Sequence, residues 1–168
     1  HRVVSLYEDA VERFPDDSED HFALGAACQA NGDFDRARVS YRTASQLKPA
    51  SSDALLMLGQ LELIRGDVAA ASQALERALN IWVESPPDEP LSMAEALSNL
   101  ALLRQAQSRH ADAVALYGRA IPIFEQGLGV HSASASRARY NQASSWAAQR
   151  NYSTAITLYQ NVLEIEEQ

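Results

Sequence analysis

The chain has 168 residues, enough for one domain with a core of its own. Hydrophobic residues make up 46% and charged residues 21%, which excludes a disordered polar chain. The formal net charge of −8 repels phosphate backbones and sets nucleic acid aside as a general partner. A single cysteine, Cys28, rules out an intrachain disulfide. No apolar run approaches the ~20 residues that span a bilayer, so membrane insertion is not expected. No signal-peptide pattern opens the chain. Arginine outnumbers lysine 13 to 1 beside abundant alanine. That usage suggests a GC-rich bacterial genome, with the cytoplasm favoured over the periplasm.

Residues 2–14 form the first predicted helix, and Pro15 ends it, because the position before proline leaves the helical region. The acidic run Asp16, Asp17, Glu19 and Asp20 caps the next helix, over 18–31, and opposes its dipole. The run lacks the glycine and terminal glutamate of a calcium-binding loop. At Asn31-Gly32-Asp33 the glycine suits the left-handed cap of one helix and Asp33 the start of the next, over 34–47. Pro49 closes that helix and leads to one over 52–65, after which Arg65-Gly66-Asp67 repeats the turn before 68–84. Pro86, Pro87 and Pro90 make the longest interruption, a stiff loop. Helices over 91–107 and 110–127 meet at Gln107-Ser108-Arg109, and helices over 133–149 and 152–167 meet at Gln149-Arg150-Asn151. Neither of these two turns has a glycine. Pro122 stands four residues after Gly118 inside a predicted helix, so a bend is expected there.

The chain aligns on itself. Ala37, Ala71, Ala113 and Ala155 are 34, 42 and 42 residues apart. Four residues after each stands Tyr41, Leu75, Tyr117 or Tyr159, and three further on Ala44, Ala78, Ala120 or Val162. Twelve residues before each alanine is a small residue: Gly25, Gly59, Ala101 and Ala143. Spacings of three and four share a helix face. A small residue lets two helices approach, and a large one fills the space between them. Each unit therefore reads as two antiparallel helices, and such pairs must stack to bury their apolar faces.

The stretch from Ser18 to Pro49 resembles a tetratricopeptide-repeat (TPR) unit: leucine-glycine, Asn31-Gly32-Asp33, Ala37, Tyr41, Ala44 and Pro49. The 42-residue units that follow are similar to the variant found in kinesin light chains, with Leu128, Gly129 and His131 in its linker. The resemblance implies an all-α, right-handed superhelical solenoid of antiparallel helix pairs. One domain over 1–168 is expected, with 1–17 as the second helix of a truncated repeat and repeats at 18–51, 52–93, 94–135 and 136–168. Such a chain opens and closes inside a repeat, as a piece of a longer array would. Arg139 and Gln142 stand where the family is usually apolar, with Trp146 as the expected substitute for their bulk.

Chemistry is hard to find. His1, His21, His110 and His131 have no metal-ligand spacing, and no Cys-x-x-Cys, phosphate loop or nucleotide fingerprint occurs. His21 and Cys28 fall on a packing face, and His131 is expected to make local hydrogen bonds. The alternating serines from Ser132 to Ser136 lack a base and read as a helix cap. Asn151-Tyr152-Ser153 fits a glycosylation sequon at a helix turn. No cofactor, metal or catalytic residue is expected, and the chain is not read as an enzyme.

The resemblance implies instead that the first helix of each pair lines a concave groove. The positions it assigns include Phe22 and Gln29; Leu56, Met57 and Gln60; Ser98, Asn99, Leu102 and Gln105; and Arg137, Tyr140 and Asn141. Of these, Phe22, Met57, Gln60, Asn99, Leu102, Tyr140 and Asn141 are the candidate peptide-binding residues. Asn99 and Asn141 match groove asparagines that pair with a peptide backbone, since an amide both donates and accepts. Phe22 and Ala26 stand where family members that clamp a C-terminal carboxylate carry polar residues, and the second unit offers Met57, which disfavours a clamp. A protein-interaction module is the leading expectation. The alternatives are an assembly scaffold self-associating through its terminal helices, or a regulatory appendage of an enzyme outside this segment.

Overall fold

The computed structural model describes residues 2–86 and 90–166. Among them are nine α-helices and no strands: α1 (Arg2–Arg13), α2 (Ser18–Ala30), α3 (Phe34–Leu47), α4 (Ser52–Arg65), α5 (Val68–Glu84), α6 (Pro90–Ala106), α7 (His110–Leu128), α8 (Ala133–Ala148) and α9 (Tyr152–Glu166). The fold is the all-α repeat of helix pairs that the alanine register requires. The loop expected across the prolines lies partly outside the described residues, as does the end of the last helix.

The chain divides into two compact units, His1–Glu84 and Ser85–Gln168. In the first, α2 pairs with α3 and α4 with α5, while α1 packs on α2 and α3 on α4. In the second, α6 pairs with α7 and α8 with α9, and α7 packs on α8.

The repeated residues hold these pairs together. All four register alanines are buried, as are Tyr41, Leu75 and Tyr117. Tyr159 is only half-buried. A Cβ on Gly25 would lie 2.8 Å from the Tyr41 ring, and one on Gly59 would lie 2.7 Å from Leu75 Cγ. Helix contact at these points thus depends on the absence of a side chain. Tyr41 Oη donates to Gln29 Oε1 at 3.0 Å, and Tyr117 Oη makes the same bond to Gln105 Oε1 at 3.0 Å. Burial pushes the Tyr41 phenol up to about 12, which keeps it protonated and able to donate.

Helix ends follow the capping residues. Asp17 accepts from the Glu19 and Asp20 amides, Asp33 from Arg36 and Ser132 from Ala135. The sequon residue Asn151 works in the same way, its Oδ1 accepting from the Thr154 amide and the Ser153 hydroxyl. Gly32 and Gly66 both take φ of +78°, and the glycine-free turns place Ser108 at 59° and Arg150 at 62°.

Two expectations need correction. His131 does not bond locally, since its Nδ1 meets the Ile165 carbonyl at 3.0 Å and ties the α7–α8 loop to α9. Arg139 and Gln142 need no bulky substitute. Arg139 is buried and donates to the Val130 carbonyl at 3.0 Å and to Glu125. Gln142 Nε2 donates to the Val114 carbonyl at 3.1 Å, beside Gly118, where no side chain intervenes. The helix α7 runs through Pro122 and is 19 residues long. No helix among the described residues is long and apolar enough to cross a membrane.

Candidate functional site

In the second unit, α6 presents Ser98, Asn99 and Leu102, and α8 presents Ser134, Arg137, Ala138 and Asn141. These spacings of one, three and four keep each set on one helix face. Together with Tyr117 and Phe124 of α7 they enclose a cleft of about 200 Å³. Asn99 and Asn141 therefore reach one cavity from neighbouring first helices, with Leu102 as an apolar surface beside them. Ser98 Oγ is buried in this wall with no hydrogen-bond partner among the described residues.

The cleft is braced from behind. Gln105 accepts from Tyr117 and uses its own amide to donate to the Asn141 carbonyl at 3.0 Å and to Ser145 Oγ at 2.8 Å. Gln105, assigned to the groove from its position, is thus a strut between α6, α7 and α8. Burial raises the Tyr117 phenol far above its usual range, while a hydrogen bond from Asn141 and the Arg137 charge pull the other way. The floor residues Tyr117 and Phe124 were legible only as core, because nothing in helical spacing separates a core aromatic from one that floors a cleft.

The other candidates fall elsewhere. Tyr140 meets Tyr159 of α9 in a tilted ring contact, centroids 5.1 Å apart, and lines a separate recess of about 610 Å³ with Arg137, Val162 and Leu163. In the first unit, Phe22 packs on the Tyr41 ring at 5.4 Å, and both Phe22 and Met57 lie against the core cluster of Leu24, Cys28, Tyr41 and Leu61. Gln60 is half-buried on α4. Leu56 is not a groove residue: it is 2% exposed, because its face of α4 meets neighbouring helices. Among the described residues no group of three or more histidines, cysteines or carboxylates is placed to hold a metal ion.

Solved structures share this architecture. A MamA protein superposes with a TM-score of 0.79 at 22% identity, over 98% of this chain and 81% of its own. BtubC (BKLC) from P. vanneervenii gives 0.79 at 21%, over 99% and 70%. A putative kinesin light chain from Podosopora anserina, described as nearly identical TPR-like repeats, gives 0.73 at 21%, over 97% and 85%. At these identities the likeness is one of fold. None of the curated proteins compared with the sequence matches it. Three family models described as tetratricopeptide repeat match residues 6–39, 27–90 and 92–168. With the alanine register buried and the helices paired as the repeat requires, the chain belongs to the tetratricopeptide-repeat family.

Proposed function

We propose that this chain is a protein-interaction module, binding rather than catalytic, that receives a peptide or helix of a partner on the inward faces of its first helices. The observation that supports this most is the α6–α8 cleft, where Asn99 and Asn141 line one cavity with Leu102 between an amide pair. Two amides one repeat apart can pair with an extended main chain of any sequence, and an apolar neighbour adds an anchor. Phe22, Met57, Gln60 and Tyr140 are the further residues of the proposed surface. Met57 would adapt its shape to different partners.

The test is selection of peptides from a random library on the intact chain, followed by titration against Asn99→Ala, Asn141→Ala and Met57→Glu variants. Selected peptides bind in the micromolar range, about −8 kcal/mol. Loss of either asparagine weakens them roughly tenfold, the equivalent of ~1.4 kcal/mol. Peptides that bind all three variants as well as the wild type remove the inward face from the account.

A second reading, assembly through the terminal helices, is favoured by apolar side chains left uncovered there: Val3 and Leu6 on α1 are 60% and 65% exposed, Ile156 and Leu163 on α9 56% and 59%. Light scattering across protein concentration separates the readings, since a strict monomer is incompatible with the second.

A further inference from the structure

Glu62 on α4 is 1% exposed, and a carboxylate is buried only when it is paired. Arg42 Nη2 from α3 reaches its Oε1 at 2.8 Å, and Arg65 Nη1 from α4 itself reaches its Oε2 at 3.1 Å. Arg38 stands 3.7 Å from that Oε1. Three guanidiniums thus surround one carboxylate, and among the described residues Asp35 offsets only one of them, at 3.9 Å from Arg38. In a chain of net charge −8, this is a local inversion of sign.

Of these three, Arg42 lines a cleft of about 210 Å³ among α3, α4 and α5. Arg42, Gln46, Gln73 and Arg77 supply its donors, and Leu55 and Leu58 its apolar side. Arg77 is exposed and forms no ion pair among the described residues. The geometry points to a second binding surface here, one that takes the carboxylate of an acidic side chain from a protein partner. Size supports a side chain, because the cleft is smaller than the ~300 Å³ at which small-molecule pockets begin. The two guanidiniums that line the cleft, Arg42 and Arg77, outnumber its one carboxylate, Glu62, so the site favours an anion. Guanidiniums bond a carboxylate through paired N–H groups, and the glutamine amides add further donors.

The intact chain is titrated with acetyl-glutamate methylamide while NMR follows the Nε–H signals of Arg42 and Arg77 and the side-chain amide of Gln73. Acetyl-glutamine methylamide and inorganic phosphate are run in parallel. The expected result is a saturable shift at these three groups with the glutamate probe and none with glutamine, diminished by added salt. Arg77→Gln, at an exposed side chain that should leave the fold intact, weakens binding about tenfold. Gln73→Glu, which adds a competing carboxylate, abolishes it. Shifts that never saturate, or saturation unchanged in both variants, overturn the site. Tighter binding of phosphate than of glutamate overturns its assignment to a carboxylate. None of these residues belongs to the inward-face set, so failure here leaves the peptide-binding reading standing, and failure there leaves this one.

Discussion

Ser108 and Arg150 carry side chains through a left-handed turn, with φ of 59° and 62°, where the corresponding turns of the first unit use Gly32 and Gly66. A Cβ in that conformation costs about 1–2 kcal/mol. Replacing Arg150 by glycine relieves it, against about 0.4–1 kcal/mol of extra unfolded-state entropy. Arg150→Gly is therefore expected to stabilise the chain by roughly 0.5–1 kcal/mol, read as a higher urea midpoint at unchanged slope. A lower midpoint would show that the exposed turn is not strained. That a turn occurs at both places was legible from the break in helical spacing. That the chain keeps the glycine geometry without glycine was not, because the Asp33–Cys28 closing bond and its counterparts Arg109–Arg104 and Asn151–Trp146 impose it from the neighbouring helices. Arg139 and Gln142 teach the same lesson. As residue types they read as breaks in an apolar pattern, yet backbone carbonyls within reach, at Val130 and Val114, make them structural.

Between elements, a buried polar tie in the first unit joins α3 to α4 through Glu62. Breaking a fully buried ion pair costs about 3–5 kcal/mol. Arg42 and Arg65 are each 45% exposed and regain water when released, while Arg38, at 20%, regains less, so Glu62→Leu is expected to destabilise by about 1–3 kcal/mol. Equilibrium denaturation of the variant reads this directly. A neutral result would mean that the arginines were solvated all along and that the carboxylate held nothing. Pairing of helices was readable from the small residue facing the large one twelve and four positions away, since Gly25 against Tyr41 and Gly59 against Leu75 are contacts that chain periodicity alone specifies. Gly127, where an added Cβ would lie 2.7 Å from Leu91, was not readable, because it follows no repeat register.

For the molecule as a whole, a repeat fold takes its stability from neighbouring helices, so the two compact units are expected to unfold separately. Each holds one tryptophan, Trp82 in the first and Trp146 in the second. Gly25→Ala drives a methyl against the Tyr41 ring. Overpacking of about 1–3 kcal/mol outweighs the ~1 kcal/mol that alanine gains in a helix. The variant should lower the unfolding midpoint seen by Trp82 and leave that of Trp146 nearly unchanged, each followed with the other tryptophan replaced by phenylalanine. A single transition that moves as one would refute independent units. The sequence by itself determined the helix pairs, their order and the family, because a spacing of three and four with small residues opposite large ones admits one packing. Only the tertiary structure decided which first-helix residues line a cleft and which brace it. Asn99, Gln105 and Asn141 are all amides on first helices, and whether an amide meets solvent or a neighbour's carbonyl depends on the distance between helices, which no single helix encodes.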